Sequence, residues 1–394
     1  MRLLFLSFYF SPDLCAGSFR SSAVVNSLVK NLPENSKIDV VTTLPNRYES
    51  FKQDALTQET AGRLTITRIT LPSHRSGILD QSLAFFAYAR GVNEIISRNE
   101  YDAVFATSSR LMTACLGAYA SRRHKIPLYL DIRDLFVDTI KDVFSQHLAF
   151  VLKPVFSSIE RWAIRSARKV NLVSEGFLPY FRDRFPTQDY ALFTNGIDQL
   201  FIDAASLKSN ERSNRSKIRV LYAGNIGEGQ GLHDIIPELA YFYRDKIEFK
   251  VIGDGGRLDQ LKSAIEKREL SNVYFSAPIS RDLLIDEYLS ADVLFLHLNN
   301  YPAFLKVLPS KVFEYGAIGK PIWAGVGGYS AYFLEKNISN AAVFTPCDYK
   351  GAVQAFEKLK LVNTDRREFV DSYSRSKIVN EMASDITDVL FGNY

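Results

Sequence analysis

The chain has 394 residues, 46% hydrophobic and 23% charged, with 21 Gly, 14 Pro and no biased tracts. This is a globular composition long enough for two domains, and it excludes disordered, fibrous and small disulfide-stapled classes. Cys15, Cys115 and Cys347 lie far apart with no Cys-x-x-Cys and no nearby His pair, and the net charge of +4 is uneven, 24 Lys and Arg against 18 Asp and Glu up to Asn195 and 24 against 26 beyond. Neither a disulfide framework nor a zinc site is expected, and a reducing, cytoplasmic setting fits. The basic excess is too mild for a nucleic-acid partner but suits an anionic lipid surface or a phosphorylated substrate.

In chain order, the first apolar run, 2–8, ends at Ser11-Pro12-Asp13, short of a signal peptide's apolar core and cleavage site, and reads as a strand. No later stretch approaches the roughly 18 apolar residues of a membrane span. Further strands are predicted over 38–42, 64–69, 103–106, 128–132, 169–173 and 191–193, with helices over 17–31, 82–98, 111–123 and 151–167. A polar segment, 206–217, follows, rich in Ser and Asn among charged neighbours, and reads as a linker. Beyond it come strands over 219–223, 248–252, 273–276, 293–296, 321–324 and 342–344, with helices over 258–267 and 310–318, and a last helix over 374–391. Strand and helix alternate twice, so the fold class is α/β: two doubly wound, Rossmann-like domains over 1–205 and 218–373, with 374–394 crossing back to the first. Ligands of open α/β sheets bind at the carboxyl ends of the strands, so the site is sought in a cleft between two such edges.

The segment Gly224-Asn225-Ile226-Gly227-Glu228-Gly229-Gln230-Gly231 follows a strand and opens a helix, which lets backbone amides approach a phosphate. A tight turn without ligand is the competing account. A second strand ends in Gly253-Asp254-Gly255-Gly256 at the same sheet edge, where glycine leaves room for a flat group or a phosphate. Pro309-Ser310 then starts a helix with Lys311 in its first turn and Glu314 one turn on. Lys311 and Glu314 share a face, and such a pair can divide the work on a nucleoside diphosphate, the ammonium neutralising phosphate and the carboxylate accepting both ribose hydroxyls. An ordinary intrahelical ion pair explains the same spacing.

Taken in order, Ala-Gly-Asn-Ile-Gly, Val-Ile-Gly-Asp-Gly, Ser-Ala-Asp-Val-Leu, Pro-Ser-Lys-Val-Phe-Glu-Tyr and the Gly327-Gly328 loop resemble family 4 of the retaining glycosyltransferases. These enzymes have the GT-B fold, and the likeness is strongest to a bacterial surface-polysaccharide branch that includes fucosamine transferases. The first half is similar too, from Phe8-Tyr9-Phe10-Ser11-Pro12 and Gly17 through Asp131-Ile132-Arg133-Asp134-Leu135 and Val173-Ser174-Glu175 to Thr194-Asn195-Gly196-Ile197-Asp198. The resemblance implies that a sugar, an N-acetylated amino sugar, moves from a UDP-sugar donor to a lipid-linked saccharide acceptor in O-antigen or capsule assembly.

It also implies roles. The second glutamate of the family's Glu-x7-Glu motif binds the donor ribose and falls on Glu314, whereas the first falls on Lys306. The family's Arg and Lys in the first loop of the second domain are replaced by Asn225 and Gln230, so Lys311 is the candidate substitute on the diphosphate. The amides of Gly227, Gly229 and Gly231, with Gly17 and Arg20 across the cleft, complete the anion cradle. Uracil points to Gly253, with Asp254 and Gly255 beside it, and to Ala277-Pro278; Gly327 and Gly328 fall near the donor sugar, and Ser310 starts the donor helix. No Asp-x-Asp ends a strand, so no metal or other cofactor is expected. Asp131, Arg133 and Asp134 end a strand where the acceptor is expected, with Asp131 orienting the acceptor hydroxyl or, equally, bracing the sheet through a buried Asp–Arg pair. The stretch 143–169, with Phe144, Phe150, Val155, Lys153, Arg161 and Arg165, has the composition of a helix in peripheral contact with an anionic membrane, and packing against the sheet explains its apolar face as well. Two other readings remain open: a UDP-sugar epimerase of the same fold, and a GT-B-like partner subunit that has lost catalysis.

Overall fold

The computed structural model describes residues 1–46, 54–72, 78–108, 111–138, 146–206 and 216–392. Strand β1 (Arg2–Ser7) is buried at every position but its first, as expected of a central parallel strand covered on both faces. It pairs in parallel with β2 (Lys37–Thr43) and β5 (Ala103–Ser108). With β3 (Gln58–Ala61), β4 (Leu64–Ile69), β6 (Leu128–Ile132), β7 (Lys169–Leu172) and β8 (Tyr190–Ala191) it forms an eight-stranded sheet in the order β3-β4-β2-β1-β5-β6-β7-β8. Only β3 runs antiparallel, against β4. The sequence reading omits β3, whose polar, mostly exposed residues carry no apolar alternation.

The second sheet has six parallel strands in the order β11-β10-β9-β12-β13-β14. They are β9 (Ile218–Asn225), β10 (Ile247–Asp254), β11 (Val273–Ser276), β12 (Val293–His297), β13 (Ile322–Gly325) and β14 (Ala341–Phe344). Apolar residues cover both faces of this sheet, one layer around Leu221, Leu294, Phe313 and Leu334, the other around Val220, Ile236, Phe249 and Trp323. Two Rossmann-like parallel sheets are the GT-B fold class.

The chain divides into two compact units, Met1–Asn195 with Ser376–Tyr394, and Gly196–Arg375. The division falls after Asn195, ahead of the polar segment 206–217, of which 207–215 lie outside the described residues. Helix Arg375–Phe391 belongs to the first unit, where Val379, Met382, Ala383 and Ile386 pack with Val24, Val25 and Leu28 of helix Ala16–Asn31 beneath the sheet. At the start of the second unit, Ile197 bridges Ser374, and Asp198 pairs with both Arg281 and Arg375.

Candidate functional site

In the second unit Lys311 and the 225–230 loop meet at the carboxyl end of β9. Lys311 opens helix Lys311–Ile318, and its Nζ lies 3.5 Å from Oε2 of Glu314, three residues on. The helix presents them toward the strand: a Cβ placed on Gly224 would meet Lys311 Cε at 2.5 Å. Ser310 precedes the helix without capping it through its side chain. The pair is held by a residue the sequence reading did not select. Tyr288, fully buried in helix Arg281–Ser290, donates its hydroxyl to Glu314 Oε2 at 2.8 Å and accepts from Lys311 Nζ at 3.3 Å. Burial, with the Glu314 charge beside it, pushes the Tyr288 pKa far up, so the phenol stays a donor. The available signal is Tyr288 on the helix's apolar stripe with Ile285, since a buried phenol needs a partner.

The glycine loop is pre-ordered. Gln230 Oε1 accepts from Asn225 Nδ2 at 2.8 Å and from the Gly227 amide at 3.2 Å. The segment after β12 lies on the loop: Asn299 donates its amide to Gly229 O and its Nδ2 to Glu228 O, and Tyr301 donates to the Glu228 carboxylate. Arg257 pairs with that carboxylate as well, and the two donors hold the Glu228 pKa low. Asn225 and Gln230, in the places expected to carry cations, therefore shape the loop by bonding each other.

Gly253 is placed differently from the expectation. It has φ +148° and pairs in register with Gly224, whose carbonyl oxygen occupies the space a Cβ on Gly253 would need. The absence of a side chain admits the neighbouring strand, so the space left by the missing Cβ is filled by backbone rather than left open for a base. Asp254 Oδ1 accepts from the Gly255 amide at 2.7 Å, and Ala277 and Pro278 follow β11 with Ala277 exposed. Gly327 precedes helix Gly328–Asn337, and Gly328, at φ +57°, sits where any Cβ would strike the Leu305 carbonyl. That contact sets the Gly327-Gly328 turn beside Lys306.

In the first unit, Asp131 at the end of β6 and Arg20 of helix Ala16–Asn31 are both 1% exposed and form a two-pronged ion pair, at 2.9 and 3.0 Å. Asp131 also accepts from Thr107 Oγ1 at 3.0 Å and Asn171 Nδ2 at 2.7 Å. Burial alone would raise its pKa, but Arg20, with Arg133 and the Asn171 hydrogen bond, holds it below the usual carboxylate range. Arg20 further donates to the carbonyls of Phe193 and Thr194 and touches Met382 Sδ. Every guanidinium nitrogen of Arg20 is engaged, so the expectation that it cradles a donor phosphate gives way to a structural role, and the Asp131 carboxylate, fully engaged in turn, is the brace. Arg133 and Asp134 continue past the strand: Asp134 is exposed, and Arg133 lies against Gly17, 3.2 Å from the position of a Cβ there. Burial lowers the Arg133 pKa.

Helix Gln146–Ser166 turns Glu160, Ala163 and Ile164 inward, while Phe150 is 83% exposed, with Val155, Lys153, Arg161 and Arg165 also exposed. Residues 139–145, Phe144 included, lie outside the described residues. Among the described residues, no helix is long and apolar enough to cross a membrane, and no group of three His, Cys, Asp or Glu could hold a metal ion.

Comparison with known proteins matches both halves to glycosyltransferase models: residues 203–376 to "Glycosyl transferases group 1" and residues 21–196 to "Glycosyl transferase 4-like domain". A putative colanic acid biosynthesis glycosyl transferase, WcaI of Escherichia coli K12, is 33% identical over 100 residues, 25% of this chain, so the match spans about a quarter, 24%, of that relative's length. Among solved structures, sucrose-phosphate synthase of Thermosynechococcus elongatus superposes with a TM-score of 0.75 at 12% identity over all of both chains. Anabaena HepE in complex with UDP-glucose gives a TM-score of 0.66 at 16% identity over 99% of this chain and 100% of its own. Those structural likenesses are of fold. Between them the two family models leave residues 1–20, 197–202 and 377–394 unmatched, and with the double Rossmann-like architecture they mark the chain as a glycosyltransferase of the GT-B fold whose second half matches the group 1 model.

Proposed function

We propose that the protein is a retaining glycosyltransferase of family 4, similar to the fucosamine transferases, that moves an N-acetylated amino sugar from a UDP-sugar to a lipid-linked saccharide during O-antigen or capsule assembly. The observation that carries this reading is Lys311 lying over Gly224 with Glu314 and Tyr288 bonded beside it, next to an internally bonded glycine loop. One related fold, HepE, has been solved with UDP-glucose, and one sequence relative is described as a colanic acid biosynthesis transferase.

In this reading Glu314, aimed by Tyr288, accepts the ribose hydroxyls. Lys311, the amide of Gly229 and the turn at Gly327 and Gly328 surround the diphosphate and donor sugar, while the expected amides of Gly227 and Gly231 are bonded within the loop to Gln230 Oε1 and the Glu228 carbonyl and set its shape. The bond between the anomeric carbon and the β-phosphate oxygen breaks, the phosphate keeps the electron pair, and the sugar passes through an oxocarbenium-like state. Lys311 and the Gly229 amide meet the charge that develops on the phosphate. The acceptor hydroxyl forms the new glycosidic bond on the face the phosphate leaves, and its proton passes to a phosphate oxygen. The step needs no protein nucleophile and no metal ion. Arg133 and Asp134 are assigned to the acceptor, and exposed Phe150 and Val155 with Lys153 and Arg161 to peripheral contact with an anionic membrane.

Thermal shift against UDP, GDP, ADP and UDP-N-acetyl sugars, with and without chelator, tests the donor. A shift with UDP that survives chelation is expected, and silence with every nucleotide refutes it. Transfer to a lipid-linked acceptor with the anomeric configuration read by NMR tests the rest. Acceptor-independent sugar interconversion selects the epimerase. UDP binding without turnover selects the inactive partner, a reading motivated by Lys306 and by the mutual bond of Asn225 and Gln230.

A further inference from the structure

His297 ends β12 and is fully buried. Its ring packs beside those of Phe295 and Phe344, with centroids 6.0 and 5.9 Å away. It also packs on Gly325 of β13 so closely that any Cβ there would strike Cδ2. Only the two ring nitrogens face polar groups. Nε2 receives the Cys347 backbone N–H at 3.0 Å, so it is the acceptor, and Nδ1, 2.7 Å from the Gln230 carbonyl, is then the donor. The contacts thus dictate the neutral tautomer, and burial, which drives the pKa down to about 4, agrees with it.

One imidazole therefore ties the loop after β9 to the loop after β14 at a single point. The first is the glycine loop, and Gln230 is the residue whose side chain organises Asn225 and the Gly227 amide. The second turns at Cys347 with φ +62°, a left-handed conformation that a Cys rarely adopts and that the bond to Nε2 helps to hold. We infer that His297 is a positioning residue for the donor: through its Nδ1 bond to Gln230 it fixes the loop amides where the diphosphate is bound. The inference rests on the donor reading above. It goes further by making nucleotide affinity depend on one of two ring nitrogens in a side chain that never meets the nucleotide.

The two bonds can be removed separately, because a carboxamide one carbon from Cα reaches the Nδ1 position and one a carbon longer reaches the Nε2 position. His297→Asn keeps a donor for Gln230 and loses the Cys347 bond. His297→Gln keeps an acceptor for Cys347 and loses the Gln230 bond. Each leaves one orphaned polar group, so a merely structural histidine would make the two variants alike. Amide hydrogen exchange over 227–231 in the nucleotide-free protein, and UDP affinity by calorimetry, are measured for both and for wild type. Exchange is expected to rise in His297→Gln alone, and UDP to bind roughly five- to tenfold weaker in it than in His297→Asn. Equal loop exchange in the two variants, or faster exchange in His297→Asn, overturns the inference. A wild type that binds no UDP overturns the donor reading instead, and the exchange comparison still decides the role of His297.

Discussion

Replacing Tyr288 by Phe takes one oxygen from the candidate site and leaves the ring, which stacks on Phe201 and meets Tyr315 edge-on, in place. That oxygen donates to Glu314 at 2.8 Å. A hydrogen bond to a charged group contributes about 1.5–3 kcal/mol, and the lower end applies here. The Glu314 side chain is 15% exposed, so water can replace part of the interaction, and Lys311 remains 3.5 Å away. About 1.5 kcal/mol is roughly tenfold in dissociation constant, so Tyr288→Phe should weaken UDP by up to about tenfold and lower the melting temperature by a few degrees, about 3–6 °C. Calorimetry with UDP and with 2′-deoxy-UDP checks the route: if Tyr288 acts by aiming Glu314 at the ribose, the loss should shrink with the deoxynucleotide. A folded variant that binds UDP within twofold of wild type would refute the reasoning.

Three further outcomes are expected. Lys311→Ala should weaken UDP by about tenfold or more while leaving uridine unchanged, and should flatten the salt dependence of UDP binding; unchanged affinity removes Lys311 from the diphosphate. Asp131→Asn should destabilise the first unit by about 3–5 kcal/mol, since it strips the partner from a buried guanidinium, and denaturant melts showing a loss below 1 kcal/mol would contradict the brace. The pH dependences of the two units should have opposite sign. His297, held near 4 against an ordinary 6.5, contributes stability that is complete above 6.5 and lost as the pH falls toward 4. Glu160, which burial lifts from 4.5 to about 7 against the pull of Arg184, contributes stability that is complete below 4.5 and lost as the pH rises to 7. Each slope is about 1.4 kcal/mol per pH unit inside its window. The chain's two tryptophans, Trp162 and Trp323, fall one in each unit, so fluorescence melts of Trp162→Phe and Trp323→Phe report the units apart, and slopes of one sign would contradict the assignment.

What the sequence made legible follows from which interactions are local. Buried parallel strands such as β1 and β10 announce themselves as apolar runs, and the ends predicted for β4, β6 and β11 coincide with those observed. Lys311 and Glu314 were readable because helical periodicity alone puts them on one face. Tyr288 was not, because its meeting with Glu314 joins positions 26 apart through packing between two helices. Arg20 misled for the same reason: a basic residue near a glycine suggests a phosphate, but its carboxylate partner is 111 residues away. A glycine has two explanations, space for a ligand or space for a neighbouring backbone, and at Gly253 only the paired strand distinguishes them. The edge strand β3 is held by backbone pairing rather than by apolar contacts, and leaves no trace in the hydrophobic pattern.

From Ser376 on, helix Arg375–Phe391 belongs to a unit whose earlier residues all precede Gly196. On the ribosome the second unit, contiguous from Gly196 to Arg375, is therefore complete before the first one has its last helix. Until that helix emerges, apolar side chains of the first sheet and of helix Ala16–Asn31 lack the cover that Met382, Ala383 and Ile386, all 0% exposed, provide. The half made first thus stays unfinished longest, and in a growing cell it is the part of the nascent protein most in need of a chaperone.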